Sequence, residues 1–199
     1  MNKKIIIGIS GASGAHYAVK LIEALLARDY RIHLIVSEIG SQVFAHELTI
    51  RREDIPGFFS GMCGKSGTSG EITMHDCNDM FAPVASGSFQ ASAMVIIPCS
   101  MKTLAAVTAG YAANLLERAA DVTLKERRPL VLVTRETPLS RIHLKNMLAA
   151  HEAGATILPA SPGFYHRPQS IDDLAAFIAA RVLDHLKIDY HNSPRWGEA

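Results

Sequence analysis

The chain has 199 residues, 48% of them hydrophobic and 20% charged, which suits one domain able to bury about 70% of its unfolded surface. Twenty Lys and Arg against nineteen Asp and Glu leave a formal charge of +1, so nothing in the balance points to nucleic acid or an anionic membrane as a partner. Cys63, Cys77 and Cys99 form no CxxC pair, which indicates reduced thiols and a cytoplasmic protein.

Met1-Asn2-Lys3-Lys4 followed by Ile5-Ile6-Ile7 has the look of a signal peptide, but Gly8 to Gly11 interrupt it. The apolar region is too short for export, and no stretch approaches the roughly 20 apolar residues of a membrane span. Lys4 to Ile9 is instead a β-branched run closing on a glycine turn, the pattern of a buried parallel strand. Gly14 to Arg28 has helical periodicity, with Ala18, Leu21, Ile22, Leu25 and Leu26 on one side. Arg31 to Val36 is a second strand and Glu38 to Leu48 a second helix. Residues 50–80 break the alternation with Pro56, Gly57, Gly61, Gly64, Gly67 and Gly70. They read as a long surface excursion, either a lid or decoration, with a short strand near Glu71–His75. His75-Asp76-Cys77 within it reads as a loop histidine beside a buried thiol rather than a metal site; no metal centre is expected.

Alternation resumes with a strand at Ala93 to Ile97 and helices at Met101 to Ala109 and Ala113 to Arg127. Leu130 to Val133 is a strand, Leu139 to Ala153 a helix, Thr156 to Leu158 a last strand and Ser170 to Leu186 a final helix. The whole of 1–199 therefore reads as a single α/β domain of three layers around a mostly parallel sheet. The tail from His191 to Ala199 carries the single Trp196, whose apolar ring needs cover that a neighbouring subunit would supply.

Gly8-Ile9-Ser10-Gly11-Ala12-Ser13-Gly14 links the first strand to the first helix. Glycines let backbone approach a ligand, a helix start offers free N–H groups, and Ser10 and Ser13 add hydroxyls. The spacing is GxxGxxG rather than the dinucleotide GxGxxG, and Ser37 stands where the second strand ends, so a mononucleotide fits better than NAD. The alternative is a turn that only packs a helix on a sheet. A second such turn, Pro98-Cys99-Ser100-Met101-Lys102-Thr103, ends the fourth strand; Ser100 is either a ligand contact or a helix cap.

Arg118 and Lys125 are seven residues apart on one helix, hence on one face within about 20°. They form either a solvated stripe with Asp121 or a clamp for a second phosphate. Arg181 falls at the edge of the last helix's apolar face, where it snorkels or meets an anion. Arg135-Glu136-Thr137-Pro138 and Pro162-Gly163-Phe164-Tyr165-His166-Arg167-Pro168 both follow strands, at the ligand-binding end of a parallel sheet. A carboxylate among phosphate-binding cations, such as Glu136, can relay protons. Glu47 lies on a helix beside His46 and is either functional or part of an exposed face.

These segments in this order resemble the UbiX family of flavin prenyltransferases. The resemblance covers nearly the whole chain: GISGASGAHY at 8–17, ASGSF at 85–89, IIPCSMKTLA at 96–105, ERAADVTLKERRPLVLVTRETP at 117–138 and LPASPGFYHRPQS at 158–170. It implies a flavodoxin-like or Rossmann-like fold assembled as a homododecamer with sites where subunits meet. It implies transfer of a dimethylallyl group from dimethylallyl phosphate to N5 and C6 of reduced FMN, without a metal, the product serving a UbiD-type decarboxylase. FMN is expected at Gly11, Ala12, Ser13, Ser37, Ser100, Met101, Lys102, Thr103 and Arg135. The donor is expected at Tyr165 and Arg181, with Arg118 and Lys125 arriving from a neighbour. Glu136 and Glu47 match the family's active-site acids, while Met80 stands where some members carry tryptophan. Two alternatives share the fold: an FMN-dependent cysteine decarboxylase, against which Thr134-Arg135-Glu136-Thr137-Pro138 speaks because it lacks an asparagine–methionine motif, and a non-enzymatic flavin carrier.

Overall fold

The computed structural model describes residues 3–64 and 69–190. Its central strand, β1 (Lys4–Ile9), forms from an unbroken isoleucine-rich run that is buried from Ile5 onward. Both faces of such a strand are covered, so continuous hydrophobicity rather than alternation is what the fold requires. Helix α1 (Ala15–Leu26) follows, then β2 (Arg31–Val36) and α2 (Glu38–Leu48). Next come α3 (Ile55–Ser60) and β3 (Glu71–His75). The second half supplies β4 (Ala93–Cys99), α4 (Met101–Thr108), α5 (Leu115–Lys125) and β5 (Leu130–Thr134). Helix α6 (Arg141–Glu152), β6 (Thr156–Ile157) and α7 (Ile171–His185) complete it.

The six strands run in the order β3-β2-β1-β4-β5-β6, and every pairing is parallel. The fold is thus the flavodoxin-like or Rossmann-like α/β architecture. Its three layers follow from the pleat. Ile5, Ile7 and Ile9 of β1, with Val95 and Ile97 of β4, pack with residues of α1, α2, α3 and α7. Ile6, Met94, Ile96 and Leu132 face the opposite way, toward α4, α5 and α6. The winding reverses between β1 and β4, which opens a crevice beyond their carboxyl ends.

The structure departs from the sequence reading between residues 50 and 64. Pro56 does not break this segment; it sits in the first turn of α3, where its missing N–H is no loss. Ile55 and Phe59 are 2% and 1% exposed, and Phe59 lies 5.1 Å from the Phe44 ring of α2. Two side chains thus anchor this part of the excursion in the core, while most of its residues stay exposed. His75 is the last residue of β3 rather than a loop residue. The proposed cover provided by Trp196 lies outside the described residues.

Candidate functional site

Two strand-to-helix turns meet at the reversal point and are tied together by Ser10. Its buried hydroxyl donates to the Pro98 carbonyl at 2.9 Å and accepts the Ser100 N–H at 2.8 Å. The Ser10 hydroxyl is therefore used inside the protein, which corrects its reading as a ligand contact. Gly14, at φ 125°, occupies backbone space that side chains avoid, and its N–H points at Glu47 Oε2, 3.0 Å away.

Beyond the ends of β1, β2 and β4 lies a cleft of about 400 Å³. Gly11, Ser37, Ser100, Lys102 and Thr103 all line it. Ser37 caps α2 by accepting the Gly40 N–H at 3.0 Å. A Cβ on Gly40 would stand 2.5 Å from the Ile9 carbonyl oxygen, so only glycine lets α2 start this close to β1. Ser100 caps α4 by accepting the Thr103 N–H at 3.3 Å. Both serines are caps as well as cleft residues, so the two readings of Ser100 are compatible. Two helix starts with free N–H groups, facing one cleft, suit an anion. The Met101 side chain, by contrast, is buried in the core, which leaves its backbone as the group to meet a ligand.

A second cavity of about 280 Å³ opens on the other side of the same glycine turn. Ser13, Tyr17, Glu47 and Arg135 line it together with Ile171 and Leu174 of α7. Glu47 is not part of an exposed face. Its carboxylate accepts the N–H groups of Gly14 and Ala15, the latter at 2.7 Å. Burial pushes its pKa up, but hydrogen bonds from Ser13, Ala15 and Gly14, with the nearby His16, hold it below the usual value. It is the acid at the positive end of α1. Burial pushes the Tyr17 phenol above its usual value, Arg135 opposing and Glu47 adding to the shift.

Arg118, Lys125 and Arg181 lie outside both cavities. Arg118 of α5 pairs with Asp121 at 2.7 Å and donates from Nε to the Ala85 carbonyl at 3.2 Å. Lys125 pairs with Glu126 and reaches Gly87, where a Cβ would meet its Nζ at 2.7 Å. Both thus share one face, as their spacing predicts, and that face meets the 85–89 turn. Arg181 is exposed and pairs with Asp184 at 2.9 Å. Tyr165 packs edge-on against Phe177, ring centroids 5.8 Å apart, one helical turn before Arg181 on α7. Glu136 is exposed and accepts the Thr137 N–H, and Met80 is exposed beside the 98% exposed Phe81. Among the described residues no three His, Cys, Asp or Glu side chains converge as a metal centre, and no helix is long and apolar enough to cross a membrane.

A model of the Flavoprotein family matches residues 1–183. The flavin prenyltransferase UbiX of Alkalihalophilus pseudofirmus is 48% identical over 198 residues, covering 100% of this chain and 98% of its own length. The chain belongs to the UbiX family of flavin prenyltransferases. Two solved structures agree with it over their full fold. AnUbiX (PadA1) in complex with FMN and dimethylallyl pyrophosphate has a TM-score of 0.89 at 40% identity, each chain covered completely. The dodecameric FMN-dependent UbiX-like decarboxylase of Escherichia coli O157:H7 has a TM-score of 0.86 at 40% identity, covering 97% of this chain and 98% of its own.

Within this UbiX-family chain, the fold gathers Gly11, Ser37, Ser100, Lys102 and Thr103 in one cavity and Ser13, Glu47 and Arg135 in the next. It does not bring Arg118, Lys125, Tyr165, Arg181 or Glu136 into either cavity of a single copy. Sequence reasoning missed Glu117 and His75, which also line the larger cleft. The signal for Glu117 was Asn114-x-x-Glu117 at a helix start, a capping pattern. For His75 it was parallel pairing of β3 with β2, which sets it beside His33 at 2.9 Å.

Proposed function

We propose that this chain transfers a dimethylallyl group from dimethylallyl phosphate to N5 and C6 of reduced FMN. One observation carries the reading: the glycine turn separates a cleft faced by two helix starts from a cavity holding a carboxylate and a guanidinium. The FMN phosphate lies against the starts of α2 and α4, contacted by Ser37, Ser100, the Met101 and Lys102 backbone, and Thr103. Gly11, Ala12 and Ser13 carry the flavin across the turn, and Arg135 and Ser13 meet its ring system.

Reduced FMN supplies the electron-rich N5 and C6 to which the allyl carbons become bonded. The chain's own residues orient, stabilise charge and move protons. Tyr165 and Arg181 grip the donor's phosphate, and Arg118 and Lys125 of a neighbouring copy complete the grip in a homododecamer. Cations on that phosphate favour its departure as negative charge grows on it. Holding donor and flavin face to face removes the orientation cost. Glu136 relays the proton released on ring closure toward the departing phosphate, and Glu47 fixes Ser13 beside the flavin. Family membership supports the reaction, and the donor in AnUbiX supports an allylic phosphate ester. We further propose that the protein is cytoplasmic and that its product serves a UbiD-type decarboxylase.

Reduced FMN and dimethylallyl phosphate, incubated with the protein under nitrogen, should yield a flavin heavier by one isopentenyl unit. An unchanged flavin mass is the outcome required by the two alternatives, an FMN-dependent decarboxylase and a flavin carrier, and would overturn the proposal.

A further inference from the structure

The buried carboxylate of Glu117 has no role in prenyl transfer as derived from the cations and acids around the donor. Glu117 is 2% exposed, yet it lines the larger cleft with Ser37, Ser100 and Lys102. One oxygen, Oε2, accepts the Ala113 N–H at 2.8 Å. The other, Oε1, lies 3.7 Å from Lys102 Nζ, too far for a hydrogen bond. Lys102 is itself 82% exposed, so this ion pair is a loose one and leaves that oxygen without a hydrogen bond.

Helix capping explains only Oε2. Buried acceptors ordinarily have a donor. The cleft that Glu117 lines offers the helix starts at Ser37 and Ser100, and the carboxylates of Glu38 and Asp76 line it as well. A phosphate is repelled by a carboxylate and drawn to the starts of α2 and α4. A neutral hydroxyl is the group that a carboxylate oxygen holds best in such a place. Dinucleotide folds use an acid after the second strand to hold a ribose hydroxyl. Here Ser37 occupies that position, and the acid enters the cleft from α5 instead.

We infer that Glu117 Oε1 accepts a hydrogen bond from a hydroxyl of the flavin's ribityl chain. It makes the site read the polyol as well as the phosphate, and it fixes which end of the cleft the phosphate takes. The inference rests on the proposed flavin site.

The test titrates lumiflavin, riboflavin and FMN into wild-type protein and Glu117→Gln, following flavin fluorescence. Glutamine retains an oxygen for the Ala113 N–H but turns a donor toward the cleft. Riboflavin and FMN should each bind about tenfold or more weakly to the variant, since a hydrogen bond to a charged group is lost. Lumiflavin, which lacks the chain, should bind both proteins equally. Equal riboflavin affinities, or a matching loss for lumiflavin, would overturn the inference and leave the flavin site standing. A flavin bearing an N10-pentyl chain without hydroxyls, titrated into wild type alone, keeps the test independent of the variant's folding. It should bind more weakly than riboflavin, and equal affinity would count against the inference. Failure of wild type to bind any flavin would remove the proposed function and this inference with it.

Discussion

The Ser100 N–H donates to Ser10 Oγ at 2.8 Å, joining turns that lie ninety residues apart in the chain. The same oxygen carries its proton to the Pro98 carbonyl. The two turns that border the larger cleft are therefore set by a buried side chain that a ligand need not touch. Ser10→Ala leaves an N–H and a carbonyl without this partner, at a cost of about 1–3 kcal/mol. Urea denaturation should report that loss, and FMN affinity should fall with it because Ser100 is no longer fixed.

Glu47 couples stability to acid at the start of α1. Its pKa in the fold is held below the usual 4.5, so the native state binds fewer protons than the unfolded one in that range. The stabilisation is complete above about 4.5 and is lost as pH falls through the folded value. Glu47→Gln should lower stability by about 1 kcal/mol at neutral pH and flatten the acid limb below 4.5. Thermal melts from pH 3 to 7, at roughly one-unit steps, check both.

A different window belongs to His33. Burial first, then His75 and Lys4, push its pKa down from 6.5 to about 4, so it stays neutral in the fold. The Nδ1 of His33 shares one proton with His75 Nε2 at 2.9 Å, and the Phe89 edge closes the other side. Burial lowers His75 as well, with Asp79 opposing. Unfolded His33 takes up a proton sooner, so its contribution is intact above 6.5 and lost as pH falls toward about 4. His33→Gln should reduce the melting-temperature loss between those limits, measured by circular dichroism.

The inner strands were legible because they are buried on both faces, as β1 and β4 are almost throughout; β2 and the exposed edge strand β3 also coincide with their predicted runs at both ends. Strand β4 runs two residues beyond its predicted end because Pro98 is carried within it. Helix α3 was illegible because Pro56 and Gly57 read as breakers, whereas Phe58 and Phe59 pack on Phe44 across a turn of chain that periodicity does not register. The strand-end serines were legible from topology alone. The partners of Arg118 and Lys125 were not, since a helix face can be read from spacing but not that it meets the 85–89 turn.

Kinetics should separate the two roles assigned to charged groups. Arg181→Ala should raise the donor KM about tenfold or more while the FMN Kd stays unchanged, since one charge-assisted contact is removed. Glu136→Gln should instead lower kcat by about a hundredfold or more, the range of a lost proton transfer, with both ligands still bound. Steady-state rates with fluorescence titrations of FMN distinguish the patterns.

A crystal structure of the protein with FMN and phosphate tests most directly whether these parts form one site. The account predicts the FMN phosphate between the starts of α2 and α4, the flavin ring against Arg135 and Ser13, and a second anion held by Tyr165, Arg181 and the neighbour's cations. A flavin bound elsewhere, or Arg118, Lys125, Tyr165 and Arg181 remote from it across every subunit contact, would contradict it.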